Sequence, residues 1–186
     1  MKYTGIIMSG DHPLKILNGT KTMTRRTYGL EKVNREPDAW EFKRINNGGI
    51  ALFWRKNVME EDIALCKCPY GQVGDGLWVR ETLVKGSDGY AIYAVDSEQV
   101  LIGGAGISEG VSWEWSKTKL PSIHMLRWAS RITLENGARI DVIQAPAKTA
   151  DDYNPKWAKV GPKWNNYKTI LPEDLIWHWD WDFIML

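Results

Sequence analysis

The sequence predicts an α+β fold in which short strands outnumber helices, and three observations predict it. Runs rich in β-branched and aromatic residues recur at 3–8, 50–55, 77–84 and 177–186, a composition that suits a pleated, half-buried surface. Turn signals separate such runs, Asn46-Asn47-Gly48-Gly49 and Asn136-Gly137 being the clearest. Helix signals are brief, since Pro13 and Pro172 each open a stretch of only a few residues. With 186 residues and 44% hydrophobic content, the chain can bury a core. One domain spanning 1–186 is expected, with loop insertions near 29–70 and 96–120.

Residues 3–8 read as a first strand with a bulge at Gly5. Asp11 or His12 can cap a short helix holding Leu14, Ile16 and Leu17, and Asn18-Gly19 stops it. A strand over 21–26 then leaves the glycine turn directly. Residues 29–39 are polar, hold Pro37 and read as loop, whereas 40–45 and 50–55 form a hairpin about 46–49. Residues 58–65, with Glu60, Glu61 and Asp62, suit either a solvated edge or a turn of helix, and 66–76 are irregular. A strand at 77–84 puts Trp78, Arg80 and Thr82 on one face and Leu77, Val79, Glu81 and Leu83 on the other. A strand at 90–95 and a glycine-rich mobile loop at 101–112 follow. Asn136-Gly137 predicts a hairpin between 132–135 and 139–143. After a Lys-, Pro- and Asn-rich stretch to 164, Pro172-Glu173-Asp174 opens a short helix with acids in its first turn. Residues 177–186 close the chain as a strand whose Trp face packs inward while His178, Asp180 and Asp182 face water.

The chemistry concentrates at Gly19-Thr20-Lys21-Thr22-Met23-Thr24-Arg25-Arg26. Three hydroxyls and three cations after a glycine suit an anion site, with Arg offering a planar fork and Lys a point charge. The same residues also suit a solvated edge strand whose charges block pairing with another chain. Glu81 stands among apolar neighbours, so it needs a cation or a raised pKa. A structural salt bridge satisfies that need, and so does a site shared with Lys21. His124 alone reads more readily as a structural histidine than as a catalyst. Trp113 and Trp115 precede Lys117 and Lys119, which suits either a short amphipathic strand or a groove that tracks a nucleic-acid strand.

Net charge is +1, so nucleic-acid binding must rest on local clusters. Such clusters exist: residues 1–44 carry nine Lys and Arg against five Asp and Glu, and residues 112–131 carry four against one. The eleven Trp residues fill a core, and a subset can provide stacking platforms. Cys66 and Cys68, one residue apart without a second pair or nearby His, are expected to be reduced thiols, with no metal and no cofactor. No apolar run reaches the length of a bilayer span, and no signal-peptide core follows Lys2. A cytoplasmic location without membrane association is therefore expected. A metal-dependent nuclease is disfavoured, because His and carboxylates do not cluster at ligand spacing.

Three blocks resemble a known family. The opening strand and short helix leading into the octet above, residues 67–82 (Lys67-Cys68-Pro69-Tyr70-Gly71-Gln72-Val73-Gly74-Asp75-Gly76-Leu77-Trp78-Val79-Arg80-Glu81-Thr82) and residues 121–134 are similar to the phage-encoded members of the ASCH group. The likeness covers roughly 45 residues and fades beyond residue 143, where the family continues into an acidic helix and this chain has prolines. The resemblance implies a PUA-like fold, a small bent β-barrel with a few short helices and a cleft. It also implies recognition of RNA or a modified base. Some small relatives hydrolyse the acyl group of N4-acetylcytidine, and their pattern falls here on Lys21 and Thr24, with Glu81 as the first candidate for the catalytic carboxylate and Asp151 or Asp152 as substitutes.

Two functions are therefore expected to compete. One is a module that binds RNA, single-stranded nucleic acid or a modified nucleoside through Arg25, Arg26, Trp78, Arg80, His124, Arg127 and Trp128. The other is an amidohydrolase acting on an N-acylated cytidine-type base through Lys21, Thr24 and Glu81, so enzymatic activity is left open.

Overall fold

The computed structural model describes residues 1–58, 62–104, 107–146 and 175–186. In chain order the elements are β1 (Tyr3–Ile7), α1 (His12–Leu17), β2 (Met23–Arg26), α2 (Glu31–Asn34), β3 (Trp40–Ile45), β4 (Ile50–Arg55), β5 (Ile63–Lys67), β6 (Gly76–Arg80), β7 (Leu83–Lys85), β8 (Ala91–Tyr93), β9 (Leu101–Gly104), β10 (Ile107–Gly110), β11 (Lys119–Leu120), β12 (Thr133–Pro146) and β13 (Leu175–Met185). Short 3₁₀ turns span Pro37–Ala39, Ser122–His124 and Arg127–Ala129. The fold is thus β-rich with a few short helices, and no sheet among the described residues closes on itself. The expected strip from residue 147 to 164, the acids Glu60, Glu61, Asp151 and Asp152, and the helix opening at Pro172 lie outside the described residues.

The chain divides into two compact units, each built from separate segments. The first comprises Met1–Lys21, Asp75–Glu135 and Ile184–Leu186; the second comprises Thr22–Gly74 and Asn136–Phe183.

In the first unit β1 runs parallel to β6, and the start of β12 pairs antiparallel with the other edge of β6. Gly5 sits in unbroken register opposite Trp78, so the expected bulge is absent. β7, β8 and β11 form a second, three-stranded sheet, over a core of Leu83, Ala91, Tyr93, Val100, Leu120, Met125 and Ala129. The strand expected at 77–84 is two strands broken at Glu81-Thr82, because the Glu81 N–H leaves the ladder to meet Met125 Sδ at 2.9 Å. Nor is 101–112 simply a loop: β9 and β10 pair antiparallel within it. Trp113 and Trp115 meet edge to face, their rings 4.8 Å apart, and pack against the core. Neither lies in a strand, so the expected short amphipathic strand is absent there.

In the second unit β3, β4 and β5 form an antiparallel sheet. The expected hairpin is present, and Asn46 Oδ1 closes its turn by accepting from the Gly48 and Ile50 N–H groups at 3.0 Å each. Residues 29–39, expected as loop, contain α2 and a 3₁₀ turn, because Leu30 and Val33 are three apart and both fully buried. The hairpin expected about Asn136-Gly137 does not form, and β12 runs straight through both residues. The Asn136 side-chain amide donates to the carbonyls of Tyr70 and Gln72, so it serves a distant loop instead of a turn. A Cβ on Gly137 would stand 2.6 Å from Asp182 Oδ1, so glycine here admits a neighbouring side chain.

β13 pairs antiparallel with β2 in this unit. Trp177, Trp179, Trp181 and Phe183 are buried as expected. His178, expected to face water, is fully buried, and Asp180 pairs with Arg25. Both faces of this strand are covered, so its alternation of aromatic and polar residues does not mark a solvent side.

Candidate nucleic-acid interface

β2 begins at Met23, two residues after the expected start, and Lys21 closes the turn behind α1 by donating its N–H to Lys15 O at 2.8 Å. Thr24 and Arg25 are 3% and 5% exposed, so strict alternation of a wet and a dry face fails here. Arg25 Nε donates to Asp180 Oδ1 at 3.1 Å, the two residues lying directly opposite in the β2–β13 register. Arg26 Nη1 donates to the Arg25 carbonyl at 2.8 Å. The Thr24 hydroxyl, opposite Trp181, is buried without a hydrogen-bond partner among the described residues, as are the indole nitrogens of Trp179 and Trp181. Tyr70 stacks on Trp181 with ring centres 5.0 Å apart. Of the octet, Met23–Arg26 are thus built into the second unit's sheet with Thr24 and Arg25 buried, while Gly19, Thr20 and Thr22 are exposed.

Glu81 finds its cation in Arg131. Arg131 Nη2 and Nε reach the two Glu81 oxygens at 2.8 and 3.1 Å, while Nη1 meets Asp96 and Glu98 at 2.7 Å each. The guanidinium also lies 3.9 Å from the centre of the Tyr93 ring. Burial lifts the Glu81 carboxyl above its usual range, and the bond to Arg131 pulls against that lift. Burial also works against the Arg131 charge, but the bonds to Glu81 and Asp96 outweigh it and hold the guanidinium more firmly protonated. Tyr93 is pushed up to about 12, by burial first and by the Glu81 charge second. A carboxylate gripped at both oxygens is a structural anchor for the break between β6 and β7.

Of the other candidates, the structure brings Trp78, Arg80 and Arg127 together on one face of the first unit. Trp78 and Arg80 share a face of β6, and the Arg80 guanidinium lies over the Trp78 ring at 4.6 Å from its centre. Arg80 Nη1 donates to Ile123 O at 3.1 Å, which ties β6 to the 3₁₀ turn holding His124. The next turn carries Arg127, whose guanidinium lies 4.3 Å from the centre of the Tyr3 ring. His124 and Arg127 are exposed, and Trp128 is 48% exposed. Trp78 is only 8% exposed, so it supports Arg80 and offers no open ring face.

Sequence reasoning missed Tyr3, Gly5 and Gly76 at this face, and Arg131 and Asp180 as the partners of Glu81 and Arg25. The sole signal was an aromatic and a glycine two residues apart in each strand, Tyr3 with Gly5 and Gly76 with Trp78, and its meaning depends on the strands lying side by side.

Among the described residues no group of three His, Cys, Asp or Glu side chains could hold a metal ion, and no helix is long and apolar enough to cross a membrane. Cys66 and Cys68 are buried free thiols; burial raises both, Cys68 to about 11. No protein-family model, curated protein or solved structure matches this chain. The likeness to the ASCH group rests on its three sequence blocks alone.

Proposed function

We propose that this protein is a PUA-like, ASCH-related module that binds single-stranded nucleic acid, RNA in particular, on the face of its first unit. One observation carries the reading: two arginines, Arg80 and Arg127, are each held over an aromatic ring, and the residue after Arg127 is an exposed indole, Trp128. Guanidinium groups fixed in this way meet phosphate without first losing their side-chain freedom. An exposed indole can stack a base of any identity. Titration of labelled single-stranded RNA and DNA at two salt concentrations tests the proposal. Affinity should fall steeply with salt as counterions are released, and salt-insensitive or absent binding overturns it.

A hydrolase acting on an N-acylated cytidine is the second reading, favoured by the buried Thr24 hydroxyl that has no partner among the described residues. Lys21 would take the proton from Thr24 and a carboxylate would assist the departing amine. The grip of Arg131 on Glu81 weighs against Glu81 in that role. Turnover of N4-acetylcytidine that is lost in Thr24→Ala supports this reading, and an inactive wild-type protein ends it.

A further inference from the structure

We infer that Arg80 and Arg127 form a clamp for a single phosphodiester, with Tyr3, Gly5 and Gly76 as the positioning residues that set its two jaws. The inference rests on the nucleic-acid reading of the same face and narrows it to a backbone contact.

In the parallel β1–β6 pair, Tyr3 stands opposite Gly76 and Gly5 opposite Trp78. A Cβ on Gly76 would run into the Tyr3 ring, and a Cβ on Gly5 would stand 2.8 Å from the Trp78 ring and 2.7 Å from Arg80 Nε. Each ring therefore lies down across the glycine of the neighbouring strand. The two glycines are needed for space, since both belong to regular strand and neither turns the chain. Each ring then carries one guanidinium, Arg127 on Tyr3 and Arg80 on Trp78.

The rings sit on a diagonal of the sheet, two residues along and one strand across, which places them about 8 Å apart. One phosphate between two guanidiniums, with N–H···O contacts of about 2.8 Å on each side, needs a separation of that order. The face presents charge to a ligand and keeps its rings covered, because Trp78 lies under Arg80 and is 8% exposed. A phosphate therefore fits between the arginines where a base would not. The base next to it falls to Trp128, one residue beyond Arg127, at 48% exposure. Glu135 lies opposite Gly76 on β12 and shares this face, so it opposes any anion and keeps the affinity moderate.

The smallest complete ligand is then a dinucleoside monophosphate. The test compares its binding with that of the matching free nucleoside at low salt, on the full chain, with the melting temperature recorded for every variant. The dinucleoside monophosphate should bind at least about tenfold tighter than the nucleoside. Arg127→Ala and Arg80→Ala should each remove that advantage, and the double variant should lose little more, because one jaw alone grips poorly. Tyr3→Leu should weaken the dinucleotide selectively and Tyr3→Phe should restore it, whereas Glu135→Gln should tighten it. If Arg80→Ala does not fold, Arg127→Ala decides, since that side chain is exposed. Equal affinity for nucleoside and dinucleotide overturns the clamp while leaving base recognition intact. If a longer single-stranded oligonucleotide also fails to bind, the nucleic-acid reading falls with it.

Discussion

Arg131 holds both carboxylate oxygens of Glu81, at 2.8 and 3.1 Å, where Glu81 is 2% exposed. The pair fixes the chain at the break between β6 and β7. Replacing one partner strands the other charge in a water-poor setting, which typically costs roughly 3–5 kcal/mol. Glu81→Ala should lose stability of that order in urea unfolding. A loss under about 1 kcal/mol would show that Asp96 and Glu98 suffice for Arg131 and that Glu81 is available for other work.

The Cys68 thiol is held up at about 11, against an ordinary value of 9.0, because burial penalises the thiolate. The folded chain thus keeps a proton that the unfolded chain releases, so unfolding gains in favour as pH rises. Its contribution is complete below pH 9 and fades as pH climbs through about 11. Stability measured across that window should fall, and Cys68→Ala should flatten the decline relative to the parent chain. An unchanged slope would mean that the thiol is not shielded.

Asn136 donates to Tyr70 O at 2.9 Å and Gln72 O at 3.1 Å from inside a continuous strand. Asn136→Ala leaves two loop carbonyls without their donor and should cost about 1–3 kcal/mol. A change of only a few tenths would fit a surface turn and contradict the arrangement described above.

Trp78 and Trp128 should separate cleanly. Trp128→Ala should weaken single-stranded binding by about 1–3 kcal/mol, the usual worth of one base–aromatic stack, with little change in melting. Trp78→Ala should instead lower stability by roughly 3–5 kcal/mol, since it empties a packed position. The reverse pattern would transfer the stacking role to Trp78.

Local chemistry was legible in the sequence, and long-range pairing was not. The hairpin about Asn46 could be read because its side chain bonds groups two and four residues ahead. Asn136-Gly137 carries the same turn signal, yet its partners lie in a loop more than sixty residues away, and nothing local announces them. That Glu81 required a cation or a raised pKa followed from its apolar neighbours, but the identity of Arg131 came only with the tertiary fold. Arg80, Arg127 and Trp128 stood out by residue type. Tyr3 did not, because its use depends on β1 lying parallel to β6. His178 and Asp180 were misplaced because period-two alternation identifies a solvent face only when one side of the strand is open.

The enclosed indole nitrogens of Trp179 and Trp181 have a practical consequence. Neither ring is more than 1% exposed, so their protons can trade for deuterium only when the second unit opens locally. Trp128, half in water, should exchange at once. Following these resonances after transfer to heavy water would time the breathing of the second unit separately from events at Trp128 in the first, within one sample and without any added label.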